Sequence, residues 1–89
     1  MQLKRVEMPK KAKYELHLIN DDYNTYEFVC HVLESVLMIP SMQAGQVANL
    51  AHERGHCKIL SGTESRLHEM AIYFKEQGLN VEIKVVNSK

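Results

Sequence analysis

The feature that most constrains this chain is a single apolar stripe. Phe28, Val29, Val32, Leu33, Val36 and Leu37 fall at i, i+1, i+4, i+5, i+8 and i+9. That spacing gathers them on one face of an α-helix, a face that other elements must cover. Pro40 stops the pattern, because proline lacks the backbone donor and disfavours helix in the residue before it. What covers the stripe is read from the flanking segments. Tyr14-Glu15-Leu16-His17-Leu18-Ile19 alternates, with Tyr14, Leu16 and Leu18 on one side, and Val81-Glu82-Ile83-Lys84-Val85 alternates cleanly. Both read as strands. Cys57-Lys58-Ile59-Leu60 is a shorter strand candidate broken by Gly62.

Turn and cap residues place the remaining elements. Asn20-Asp21-Asp22-Tyr23-Asn24 is a turn, since Asn and Asp bond their own backbone. Asn24 has Glu27 three residues later and is expected to cap the striped helix. Ser41 is expected to cap a second helix whose apolar side is Val47, Ala48, Leu50 and Ala51, closed by a left-handed Gly55. Its small residues, with Gly45 among them, imply close packing against another element. Thr63 caps a third helix with Leu67, Met70, Ala71 and Phe74 on one side, ended by Gly78. The order is β-α-α-β-α-β, an α+β fold. Three strands do not stand alone, so the helices must cover one face of the sheet.

At 89 residues the chain is one compact domain without mass for a deep, multi-part active site. Charge separates the leader from the rest. Residues 1–13 hold five basic side chains and one acidic, while the other 76 hold six basic and ten acidic. A flexible basic leader therefore precedes an acidic domain spanning 14–87. The acidic balance of the folded part counts against nucleic-acid binding. No apolar run is long enough to cross a bilayer, and residues 1–13 lack the apolar core of a signal peptide. With two cysteines, Cys30 and Cys57, and no CxxC, a reduced cytoplasmic setting is expected. Cys30 reads as a buried, inert thiol.

Two clusters carry candidate chemistry. Asp21 and Asp22 are adjacent carboxylates that could act as acid and base or hold a hard metal. More often such acids shape a turn and match a helix dipole. His52 and His56, in the run HERGHC, have zinc-like spacing, but Gly55 interrupts the helix between them and no set of four ligands is near. No metal or cofactor is expected. Neither a GxSxG nucleophile motif nor a Gly-rich phosphate loop is present, so the chain does not read as an enzyme.

The run Asn20-Asp21-Asp22-Tyr23-Asn24-Thr25-Tyr26-Glu27-Phe28-Val29 resembles the signature of the Clp protease adaptor (ClpS) family, N-D-D-Y-T-P-M-E-F-V, in seven positions of ten. Ala44, Gln46, His52 and Gly55 match a second family pattern, and Glu64-Ser65-Arg66-Leu67 looks like the family's E-T-K-V. The likeness spans residues 14–86. It implies three helices on a three-stranded antiparallel sheet, a fold shared with ribosomal stalk C-terminal domains. It further implies an adaptor, monomeric by itself. Such an adaptor binds the free N-terminus of proteins that begin with a large hydrophobic residue and delivers them to a Clp-type AAA+ ATPase and its peptidase.

By position, the resemblance assigns Asn20, Asp22 and His52 to the substrate amino group and Asp21 to support of the turn. It assigns Ile19, Asn24, Tyr26, Val29, Ala48, Ala51 and Val81 to the side-chain pocket, with Leu18 nearby. Tyr23 and Arg66 match positions that dock on the ATPase. Three pocket positions depart from the family: Tyr26 stands where a methionine guards the entrance, Ala48 replaces a pocket methionine and Ala51 replaces a valine. A module of the same fold that binds a protein partner and no free N-terminus is the alternative reading. A small metal-dependent hydrolase using Asp21, Asp22 and His52 is a third.

Overall fold

A computed structural model of the chain describes residues 13–86. The elements are β1 (Lys13–Ile19), α1 (Tyr26–Leu37), α2 (Ser41–Arg54), β2 (His56–Gly62), α3 (Glu64–Glu76) and β3 (Val81–Val86). This is the β-α-α-β-α-β order expected from the alternation and cap residues. The three strands form one antiparallel sheet in the order β2-β1-β3. The basic leader expected over 1–13 lies outside the described residues except for Lys13, which is the first residue of β1.

The helices supply a core against one face of that sheet. Val32 and Leu33 come from α1, Ala44 and Ala51 from α2, and Leu67, Ala71 and Phe74 from α3. They meet Leu16 and Leu18 of β1 and Val81 of β3, with Leu79 at the approach to β3. Phe74 is the largest fully buried side chain. Cys30, expected to be buried, is only partly so and packs at the margin of this cluster.

Two expected caps shift by one residue. Thr25, not Asn24, caps α1: its hydroxyl accepts from the backbone N–H of Phe28 at 3.1 Å. Asn24 is engaged elsewhere, as described below. Pro40, not Ser41, stands at the start of α2, without a side-chain cap bond, and Ser41 is the first helical residue. Thr63 caps α3 as expected, accepting from the backbone N–H of Arg66 at 3.2 Å. Before Pro40, α1 closes at Leu37, and Met38 takes the left-handed conformation (φ 58°) while its N–H bonds the Glu34 carbonyl at 2.8 Å. Gly55 (φ 94°) takes the left-handed conformation expected of it, and Gly78 (φ 99°), just past the end of α3, is left-handed too.

Strand β2 runs from His56 to Gly62, longer than Cys57–Leu60. Its pairing with β1 carries an irregularity: Leu16 faces Leu60 but His17 faces Lys58. Ile59 is the extra residue, so adjacent Ile59 and Leu60 both reach the core margin despite the two-residue period of a strand. On the opposite face, His17 is 8% exposed, which simple alternation would not foretell. Its Nε2 lies 3.0 Å from Glu15 Oε1 and its Nδ1 lies 3.1 Å from His56 Nδ1. Both ring nitrogens are therefore satisfied, as a covered imidazole requires.

Candidate functional site

The site begins where β1 ends. The Ile19 N–H donates to the Asn80 carbonyl at 2.8 Å, and the Asn20 N–H donates to the Gly55 carbonyl at 2.9 Å. These two bonds bring the start of the 20–24 turn beside both the C-terminus of α2 and the segment leading into β3. Asp21 then folds the turn. Its Oδ1 accepts from the backbone N–H groups of Tyr23 at 3.0 Å and Asn24 at 2.9 Å. The Asn24 amide donates to Asp21 Oδ2 at 3.0 Å and, across 54 residues of chain, to the Gly78 carbonyl at 3.0 Å. This second bond explains why Asn24 does not cap α1: its side chain ties the turn to the loop after α3.

These three segments enclose a cavity of about 300 Å³, at the small end of ligand pockets. Leu18, Ile19, Val29, Ala48, Ala51 and Leu79 give it apolar walls; Asn20, Asp21, Asn24, Asn49, His52 and Asn80 make up its polar part, and Tyr26 also lines it. Ala48 and Ala51 are buried, whereas His52 is exposed in the last turn of α2. The C-terminal end of a helix carries partial negative charge, which favours a cation there. Asn20 and His52 offer acceptors beside that end. Asp21 is engaged by the turn.

Not every residue singled out in the sequence lines the cavity. Val81 is 2% exposed and lies in the core, paired with Leu18. It opens β3 within the core cluster, and Leu79 and Asn80 are the lining residues from that segment. Asp22 is exposed and is not among the lining residues. Asn49, Leu79 and Asn80 were missed by sequence reasoning. Asn49 stands three residues before His52, so helical spacing puts the two on neighbouring positions of one face of α2. Leu79 and Asn80 sit in a connection after Gly78, where no period operates. Of the two positions matched to docking, Tyr23 is 91% exposed at the turn and Arg66 is exposed in the first turn of α3.

Tyr26, the first residue of α1, is 48% exposed. The Cys30 side chain beside it is the main influence raising the phenol above the usual range, with burial and the Glu27 carboxylate adding to the effect. Burial pushes the Cys57 thiol up against the opposing pull of Arg54 and Lys58. His52 and His56 do not act together: Gly55 separates them, and His56 lies against His17 on the far side of the sheet. Among the described residues, no three His, Cys, Asp or Glu side chains converge as a metal site, and no helix is long and apolar enough to cross a membrane.

Comparison with known proteins bears on this geometry. The chain is 44% identical over 54 residues to the ATP-dependent Clp protease adapter protein ClpS of Neisseria meningitidis serogroup A, covering 61% of this chain and 50% of that one. With the ClpS 1 adapter of Rhodopseudomonas palustris it shares 42% over 55 residues, 62% of this chain and 52% of the relative. The chain thus spans about half the length of the curated relatives it matches. A solved structure of Agrobacterium tumefaciens ClpS2 bound to L-phenylalaninamide superposes with a TM-score of 0.70 at 26% identity, over 84% of this chain and 98% of that one. The family model described as ATP-dependent Clp protease adaptor protein ClpS matches residues 9–82, and the chain belongs to that family.

Proposed function

We propose that this chain is a non-enzymatic adaptor that binds the free N-terminus of a protein whose first residue is large and hydrophobic. It would deliver that protein to a Clp-type AAA+ ATPase in the cytoplasm, acting as a monomer, with Tyr23 and Arg66 on the surface that docks the ATPase. The observation that carries the reading is the cavity itself. An apolar chamber of about 300 Å³ opens beside the C-terminal end of α2, with Asn20 and His52 at hand.

An α-ammonium group presents directed donors that an amide oxygen, a carboxylate and a neutral imidazole can accept. Such charge-assisted bonds are about twice as strong as neutral ones. Burying a Leu or Phe side chain alongside adds about 1.5–3 kcal/mol. The ligand of A. tumefaciens ClpS2, L-phenylalaninamide, combines a free amino group with an apolar aromatic side chain, the two features this cavity is suited to. Acetylation removes the charge and donors and leaves acceptors unpaired, at a cost of about 1–3 kcal/mol.

A second reading, a partner-binding module that takes no free N-terminus, is favoured by the exposed position of Asp22 outside the cavity lining and by Tyr26 at the wall. Fluorescence anisotropy separates the two. Peptides beginning with Phe, Leu, Tyr, Trp or Ala are titrated with free and acetylated N-termini, with Asp22→Ala and His52→Ala beside the parent. The adaptor reading expects binding of the free, large hydrophobic peptides, weakened about five- to 150-fold by acetylation and weakened also by Asp22→Ala and by His52→Ala. Absence of binding by every peptide would leave the second reading.

A further inference from the structure

We propose that Gly45 is a specificity-determining residue of this pocket. Having no side chain, it seats the Tyr26 phenol against α2 and fixes that ring as an aromatic wall, so that the pocket prefers an aromatic first residue over an aliphatic one. The inference rests on the N-terminus-binding reading above and names the substrate class of that same site.

Gly45 is buried within α2, three residues before Ala48. A glycine inside a helix is unfavourable relative to alanine, and its backbone here is ordinary helix, so freedom of φ does not account for it. Space does. A Cβ built on Gly45 would stand 2.6 Å from the Tyr26 hydroxyl oxygen, far inside contact distance, and 3.8 Å from Cζ, an ordinary contact. The phenol tip therefore occupies the volume that any other residue at 45 would fill.

Gly45 is not itself a lining residue; it bears on the cavity through Tyr26. Tyr26 lines the cavity together with Ala48 and Ala51. The two alanines withdraw from one wall while the seated phenol supplies another. A tyrosine has few rotatable bonds, and one with its tip lodged against a neighbouring helix is a stiff surface. Aromatic rings favour edge-to-face and offset partners over aliphatic contact by a margin that corresponds to roughly two- to tenfold in affinity.

Because the atom nearest the missing Cβ is the far end of a side chain that is half exposed, alanine at 45 displaces the ring toward solvent and leaves the helix in place. The coupling runs through the hydroxyl alone, and this makes a sharp test. Anisotropy with free-amine Phe, Tyr, Trp and Leu peptides is measured for the parent, Gly45→Ala, Tyr26→Ala and the pairs Gly45→Ala/Tyr26→Ala and Gly45→Ala/Tyr26→Phe. Thermal melts by circular dichroism accompany each protein.

The parent is expected to bind Phe peptides about two- to tenfold more tightly than Leu peptides. Gly45→Ala brings that ratio down toward one, and adding Tyr26→Phe, which deletes the clashing oxygen, restores it. In the Tyr26→Ala background Gly45→Ala changes nothing. An equal effect of Gly45→Ala with and without Tyr26, no rescue by phenylalanine, or a parent without aromatic preference overturns the proposal while leaving the adaptor reading intact. A parent that binds none of the peptides overturns both. Should Gly45→Ala fail to fold, Gly45→Ala/Tyr26→Phe is expected to fold and to keep the aromatic preference, and its failure to do so also overturns the proposal.

Discussion

Asn24 is the tie that joins the turn after β1 to the loop before β3, and its replacement should weaken the site at its frame. Asn24→Ala removes the donors to Asp21 Oδ2 and to the Gly78 carbonyl, each at 3.0 Å. A net value of about 1 kcal/mol for a neutral bond and somewhat more for one to a carboxylate gives about 2–3 kcal/mol; water reaching this half-buried place trims it to about 1.5–2.5 kcal/mol. Asn24→Asp keeps the shape but sets a carboxylate against the Asp21 carboxylate and a carbonyl. Two like charges about 4 Å apart near a surface repel by about 1–4 kcal/mol. The nearby N-terminus of α1 returns only about 0.3–1 kcal/mol. At neutral pH the order of stability is therefore parent, then alanine, then aspartate, and urea unfolding followed by circular dichroism reads it directly. An aspartate variant as stable as the alanine variant would refute the assignment of Asn24 as a double donor.

Three further expectations follow from particular contacts. Phe74→Ala empties the largest fully buried site and should destabilise by about 3–5 kcal/mol in the same unfolding assay. Met38→Gly relieves a left-handed backbone at a residue that is 83% exposed; an increase in stability of about 0.5–1 kcal/mol is expected, and a lowered melting temperature would contradict it. Burial holds the Cys57 thiol above its ordinary range, so its alkylation by iodoacetamide should be slower at pH 8 than that of a free cysteine and accelerate only at higher pH. A thiol raised on folding stabilises the fold below its unfolded value, and that stability is lost as pH climbs through the folded value. Reactivity equal to free cysteine would remove the basis for both statements.

How far the sequence spoke for itself depended on whether a feature was periodic. Five of the elements were legible because their apolar residues recur at 2.0 or 3.6 residues, and β2 as a short apolar run between Gly55 and Gly62, with Thr63, Gly55 and Gly78 marking ends. The cap of α1 was ambiguous: Asn24 and Thr25 can both cap, and only the Gly78 carbonyl, 54 residues away, decides that Asn24 is occupied. The bulge at Ile59 is a property of pairing between β1 and β2 and does not exist within either strand alone. His17 reads as a solvent-facing strand residue until Glu15 and His56 close over it. At the site, the turn and the α2 wall were assigned through the family resemblance, carried by the N-D-D-Y run and by Ala44, Gln46, His52 and Gly55. Leu79 and Asn80 reach the cavity through a connection without a period. Val81, one residue later, enters the sheet and faces the core.

The central claim, that the cavity takes a free amino group together with an apolar side chain, is tested most directly by two-dimensional 1H–15N NMR of the labelled chain titrated with L-phenylalaninamide and, separately, with N-acetyl-L-phenylalaninamide. The account predicts that the free amine shifts the amide signals of Asn20, Ala48, Ala51, His52 and Asn80, leaving those on the outer side of α3 such as Glu69 and Ile72 in place, and that the acetylated compound at equal concentration does little. Equal shifts from both compounds, shifts confined to α3, or no shift with either would contradict it.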